Sequence, residues 1–199
     1  MKKNNLTLLT FVITAMILFG CGQDPAPANE DTPTASLTMV EGTFNIEAVR
    51  NSLIIKGYRF SVPQKITDLD EGLTCKFIDE EFDNALYQVE IYDQNGLVMR
   101  TLARNAHNKS KKAELYNIAV EGSDSSVAGI VPTVTTAEEV LKQFGEPATI
   151  IDNRSEGRDL IYKYGQHNVQ PGYQTPGKFM NVVFDQSGVV KTIIVQYLE

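Results

Sequence analysis

Residues 87–102 constrain the fold most. Tyr87, Val89 and Ile91 alternate with Gln88, Glu90 and Tyr92; Asp93-Gln94-Asn95-Gly96 then turns the chain, and Leu97-Val98-Met99-Arg100-Thr101-Leu102 returns. A side-chain period of two belongs to a half-buried strand. Asn-Gly suits a tight hairpin because both turn positions need positive φ. The chain must therefore build antiparallel sheet. Further strands are expected at Ala113–Val120, Asp159–Tyr164, Lys178–Phe184 and Val189–Tyr197.

The clearest helix signal follows Thr136. Thr136 and Glu139 have capping-box spacing, Val140, Leu141 and Phe144 share one apolar face, and Gly145 and Pro147 stop the helix. A shorter helix is expected at Ile66–Leu73. The halves also look alike. Gly72 to Asp79 has the spacing of Gly145 to Asp152, and Tyr92–Val98 matches Phe184–Val190 with about 19 extra residues between the blocks in the second half. A duplication is the expectation, with the bare recurrence of hairpin turn chemistry as its alternative. The expected class is α+β: two related units, each a short helix element packed on a small antiparallel sheet.

The N-terminus carries an address. Met1-Lys2-Lys3 is basic, Leu6–Phe19 is an apolar run of 14 residues, and Leu18-Phe19-Gly20-Cys21 ends it. A spanning helix needs about 20 apolar residues, so the run reads as the core of a cleaved signal peptide, residues 1–20. The last four residues resemble the lipobox of bacterial lipoproteins, which implies that Cys21 is lipidated after cleavage. Each buried CH2 contributes ~0.8 kcal/mol, so two or three chains make a durable tether. Residues 21–36 follow as the lipidated cysteine and a spacer. From Gly22 on they hold three prolines and almost no large apolar side chain, too little to offset ordering entropy. The remaining residues, about 160, suit one ordinary domain or two small repeats: a divergent unit at 37–125 and a second at 126–199.

Removing residues 1–20 takes two lysines and no acid, so the net charge falls from −7 to −9. That acidity opposes nucleic-acid binding and adhesion to anionic lipid, leaving membrane attachment to the lipid on Cys21. Of the two cysteines only Cys75 then keeps a thiol, and no intramolecular disulfide can form.

No catalytic constellation appears. His107 and His167 lack neighbours at metal-ligand spacing, and Asp93-Gln94-Asn95-Gly96 fails the calcium-loop pattern at its fifth and twelfth positions. The Asp79-Glu80-Glu81/Asp83 run reads as a charged loop. Nucleophile elbows, phosphate loops and dinucleotide fingerprints are missing. We expect no enzyme, no metal and no cofactor. The connection Gly165–Gly177 is different. Its 13 residues join two strands where 2–5 are usual, and it carries His167 and Tyr173 among prolines. Tyrosine is a favoured interface anchor, so His167 and Tyr173 are the candidate partner-binding residues.

Thr136-Ala137-Glu138-Glu139-Val140-Leu141-Lys142-Gln143-Phe144-Gly145-Glu146-Pro147, with the later Val182–Val190 segment, resembles the small SmpA/OmlA-type lipoproteins of the outer-membrane β-barrel assembly machine. It is also similar to the repeat of β-lactamase-inhibitor-protein-like domains. The resemblance covers residues 130–197 well and 53–120 weakly; the first half lacks a clear Thr-x-x-Glu-Val element. It implies a helical element packed on antiparallel sheet, in tandem, and proteins that act by binding proteins. The expected function is a non-catalytic, lipid-anchored binding or scaffolding lipoprotein on the extracytoplasmic face of the cell membrane, with an envelope protein as partner. The alternative is an enzyme inhibitor of the inhibitor-protein type.

Cys21→Ser should block lipidation, leaving uncleaved precursor or soluble protein. Membrane fractionation at mature size for that variant would refute the lipoprotein reading.

Overall fold

The computed structural model describes residues 39–81, 86–105, 112–167 and 177–198; for Asp79–Glu81 and His167 it describes the backbone alone. The signal peptide, Cys21, the spacer, His107 and Tyr173 therefore lie outside the described residues. Ser36–Glu199 cluster as one unit.

Two antiparallel sheets form it. The small one has the order β2-β1-β8, from β1 (Leu53–Ile55), β2 (Tyr58–Phe60) and β8 (Ser125–Val127). The expected unit boundary at 125/126 falls inside β8. The large sheet opens with β4 (Thr74–Glu81), β5 (Leu86–Asp93), β6 (Gly96–Arg104) and β7 (Glu114–Val120). It continues with β12 (Val190–Leu198), β11 (Gly177–Phe184), β10 (Leu160–His167) and β9 (Thr149–Asp152). β3 (Gln64–Lys65) pairs with the start of β7. So β4–β7 is one meander, β9–β12 is another, and their last strands join them: Val120 faces Ile193 and Ile118 faces Val195.

The architecture is mixed α+β but dominated by sheet. α2 (Ala137–Phe144) starts at the expected capping box. Thr136 Oγ1 accepts from the Glu139 amide, and the Glu139 carboxylate accepts from the Thr136 amide at 2.8 Å. Gly145 ends it at φ +73, where a Cβ would collide with the Gly42 carbonyl. The helix expected at Ile66–Leu73 is only a 3-10 turn, Ile66–Asp68. No side chain caps it, and Leu69 is already extended. A helix the sequence reading missed, α1 (Ile46–Val49), starts at Asn45, whose side chain accepts from the Glu47 and Ala48 amides.

The proposed turn equivalence also fails. Asp93–Gly96 joins the second and third strands of its meander, whereas Asp185–Gly188 joins the third and fourth of the other. Both aspartates cap their own turns: Asp93 accepts from the Asn95 amide at 2.7 Å, Asp185 from the Ser187 and Val189 amides. Local turn chemistry therefore recurs at two different places.

The segment before α1 closes the second meander. The Gly42 amide donates to the Gln143 carbonyl at 3.0 Å. The Phe44 ring meets those of Phe144 at 6.1 Å and Tyr164 at 5.2 Å, and the Tyr164 hydroxyl donates to the Gly145 carbonyl. Phe144 is 2 % exposed. Phe144→Ala should cost ~3–5 kcal/mol in denaturant melts, because the rings around it cannot close the cavity; a loss below ~1 kcal/mol would mark α2 as peripheral.

Candidate functional site

Among the described residues, helices cover one face of the large sheet and none covers the other. Val89, Ile91, Ile118, Val182, Ile193 and Val195 lie in the core, which also takes up Val49 of α1 and Val140 and Phe144 of α2. Residues directly opposite across a ladder share a face. The other face thus carries a row of Phe179, Gln196, Asn117, Leu102 and Gln88, and beside it Lys163, Asn181, Ile194 and Ala119. Both described helices pack on the opposite side.

This outer face is rich in amides. Asn117 Nδ2 donates to Gln196 Oε1 at 2.8 Å. Asn181 Oδ1 is shielded from water and has no hydrogen-bond partner among the described residues. An orphaned acceptor costs about 1–3 kcal/mol, so it calls for a donor. Toward β4 the charges are paired: Arg100 Nε donates to Glu90 at 2.8 Å, and the Tyr92 hydroxyl also donates to Glu90. The Tyr92 bond, then the Arg100 bond, hold the Glu90 carboxyl below its ordinary range.

The sheet edges are guarded. β4 carries Lys76 and a register shift between Phe77 and Asp79. β9 has four residues, and its Asp152 is held by Arg154 at 2.7 Å. Short edges, bulges and charges oppose strand addition.

His167 ends β10 opposite Gly177, so the long connection leaves the sheet there. A cluster sits at its root. Lys178 Nζ donates to the Tyr197 hydroxyl at 2.8 Å, and that hydroxyl donates to Glu47 Oε1 at 2.6 Å. Arg50 Nε meets Glu47 Oε2 at 2.5 Å, with the guanidinium 4.7 Å from the Tyr197 ring centre. Residues from both chain ends thus fix the start of β11. The sequence signals none of this, since Glu47 and Tyr197 lie 150 positions apart.

Among the described residues, no three His, Cys, Asp or Glu side chains are placed to hold a metal ion. Cys75 is half-buried, and burial pushes its thiol up to about 11, far from thiolate at neutral pH. The side chains of the candidate residues His167 and Tyr173 lie outside the described residues. Comparison with family models, curated proteins and solved structures finds no match to this chain.

The Tyr197 hydroxyl, with Arg50 behind it, holds the Glu47 carboxyl below its ordinary value against the opposing effect of burial. A depressed carboxylate stabilises the fold above its unfolded pKa, and that stabilisation fades as pH falls through the folded value. Glu47→Gln should therefore lower stability in denaturant melts at pH 7, and the difference from wild type should shrink as pH falls through the folded pKa. A difference undiminished in acid would show that the carboxylate charge contributes nothing.

Proposed function

We propose that this chain is a lipid-anchored cell-envelope lipoprotein that binds another protein through the outer sheet face and the 165–177 connection. One observation carries the reading: an amide-bearing sheet face that no described helix covers, beside a long connection whose root is locked by four side chains. Long connections on rigid scaffolds are where binding concentrates. Tyr173 can bury a large amphipathic surface at low entropy cost, with Pro171 and Pro176 reducing what must be ordered. The face carries Phe179 and Tyr92 among amides and a Glu90–Arg100 pair.

The reading includes two related units. Its support is the order of the elements. Both halves begin with a tight hairpin whose two turn residues have positive φ: Lys56 +50 and Gly57 +87 in the first, Ala128 +50 and Gly129 +86 in the second. Each then sends a short segment onto the start of its last strand, Gln64–Lys65 onto β7 and Thr136 onto Val189. A helical turn and a four-stranded meander follow in each. Copies pair with copies, β1 with β8 and β7 with β12.

Replacing residues 166–176 with an Asn-Gly turn should leave the fold intact, since closure entropy changes slowly with loop length. Crosslinking and pull-down from intact cells should then recover less of whatever partner the wild type retrieves. A shortened chain that folds and retrieves the same partners at the same yield would reduce this connection to an insertion.

A further inference from the structure

Residues 39–50 belong to neither sheet and are held mainly by the second half. The Gly42 amide donates to the Gln143 carbonyl at 3.0 Å, the Phe44 ring lies against those of Phe144 and Tyr164, and Glu47 accepts from the Tyr197 hydroxyl, to which Lys178 also donates. Two glycines make room for the segment: an added Cβ at Gly145 would strike the Gly42 carbonyl, and one at Gly165 would crowd the Phe44 ring at 3.3 Å. Burial deepens along it. Glu41–Thr43 are exposed, Phe44–Glu47 half-buried, and Ala48 and Val49 buried. Val49 belongs to the core, and the Arg50 carbonyl accepts from the Val62 amide at 2.9 Å. Residues 39–47 can therefore leave while the core stays, since local opening draws on segments with few buried contacts.

What this segment touches lies on one line of force. In the proposed function, on which this rests, the lipid on Cys21 holds one end of the chain and a partner grips the 165–177 connection. A pull between them enters at Met39 and leaves through the strands that flank the connection. Tyr164 and Gly165 stand in the strand that leads into it, Lys178 in the strand that leads out. The contacts of Gly42, Phe44 and Glu47 thus bridge the two loaded points directly, and a pull from Met39 loads them in that order, one at a time. The strands share load over whole ladders, with eight residue pairs between β11 and β12 alone.

We propose that residues 39–47 form a releasable strap. Tension between the lipid anchor and a bound partner peels the strap from the second meander before the sheet yields. Release carries Glu47 away from Tyr197 and Lys178, which fix the start of β11. The root of the connection therefore loosens under load, and the grip on the partner weakens with it. The strap closes again when the load falls, because its seat on Gly145, Gly165 and the two rings stays in place with the core.

The test stretches the full chain in an optical trap through bio-orthogonal handles at positions 38 and 173, which stand in for anchor and partner. Extension should come in two steps: a first of no more than about 30 Å, the reach of residues 39–47 when drawn out, and a second when the sheet ruptures. With the first handle moved to position 51 the first step should vanish, because the strap is then off the load path. At constant load, Phe44→Ala and Tyr197→Phe should each shorten the lifetime of the strapped state roughly tenfold, and the second step shows that the variants are folded. A single rupture from position 38, a first step that persists from position 51, or unchanged lifetimes in the variants would overturn the proposal. Neither lipidation nor partner capture enters this measurement, so its failure leaves the Cys21 and 165–177 readings to their own tests.

Discussion

The pairing of β7 with β12 holds the domain together. Each is the last strand of a four-stranded meander, and alone each meander would end in an open edge. Joined, they bury Ile118, Val120, Ile193 and Val195 completely and place two guarded strands, β4 and β9, at the outer limits. The seam also explains the single core: the residues on its covered face continue without a break from Tyr87 on one side to Tyr162 on the other. A residue-long slip of either strand in this ladder would turn its two core side chains to the other face, so the apolar pattern itself fixes the register.

With the sheet set, the chain ends complete it. Residues 42–50 cross to the far meander, where Phe44 joins Phe144 and Tyr164, and Glu47 ties Tyr197. The first described residues are therefore structural members of the second half. Glu41 and Lys142 add an exposed ion pair at 3.4 Å to the same junction, worth little by itself. The ring stack and the Tyr197 hydrogen bonds are what tie the N-terminal segment down.

The legible parts of the fold were those written locally. Strand alternation at 87–102, strong apolar strands at 178–184 and 189–197, and the Thr136 capping box are all encoded within a few residues, and they appear where expected. The short strands β1, β2, β3 and β8 were not legible, because two or three residues cannot display a period; only contacts between sequence-distant segments define them. The 3-10 turn at Ile66–Asp68 shows the same limit from the other side: an apolar spacing without a cap did not extend into a helix. The paired Asp-x-x-Gly turns misled for a related reason. An aspartate that accepts its own turn's amides is favourable wherever a hairpin closes, so the motif reports turn chemistry and says nothing of strand order. Of the candidate site, the long connection was visible as length and composition, whereas the Lys178–Tyr197–Glu47–Arg50 cluster was invisible because it joins opposite ends of the chain.

The two halves differ in what covers them. The second half has a capped helix, α2, and borrows α1 from the N-terminal segment. The first half has only a 3-10 turn in place of α2, and no described segment where α1 would lie. A stable monomer tolerates scattered apolar exposure, and here it falls on both halves: Ile54 in the first, Val134 and Ile150 in the second.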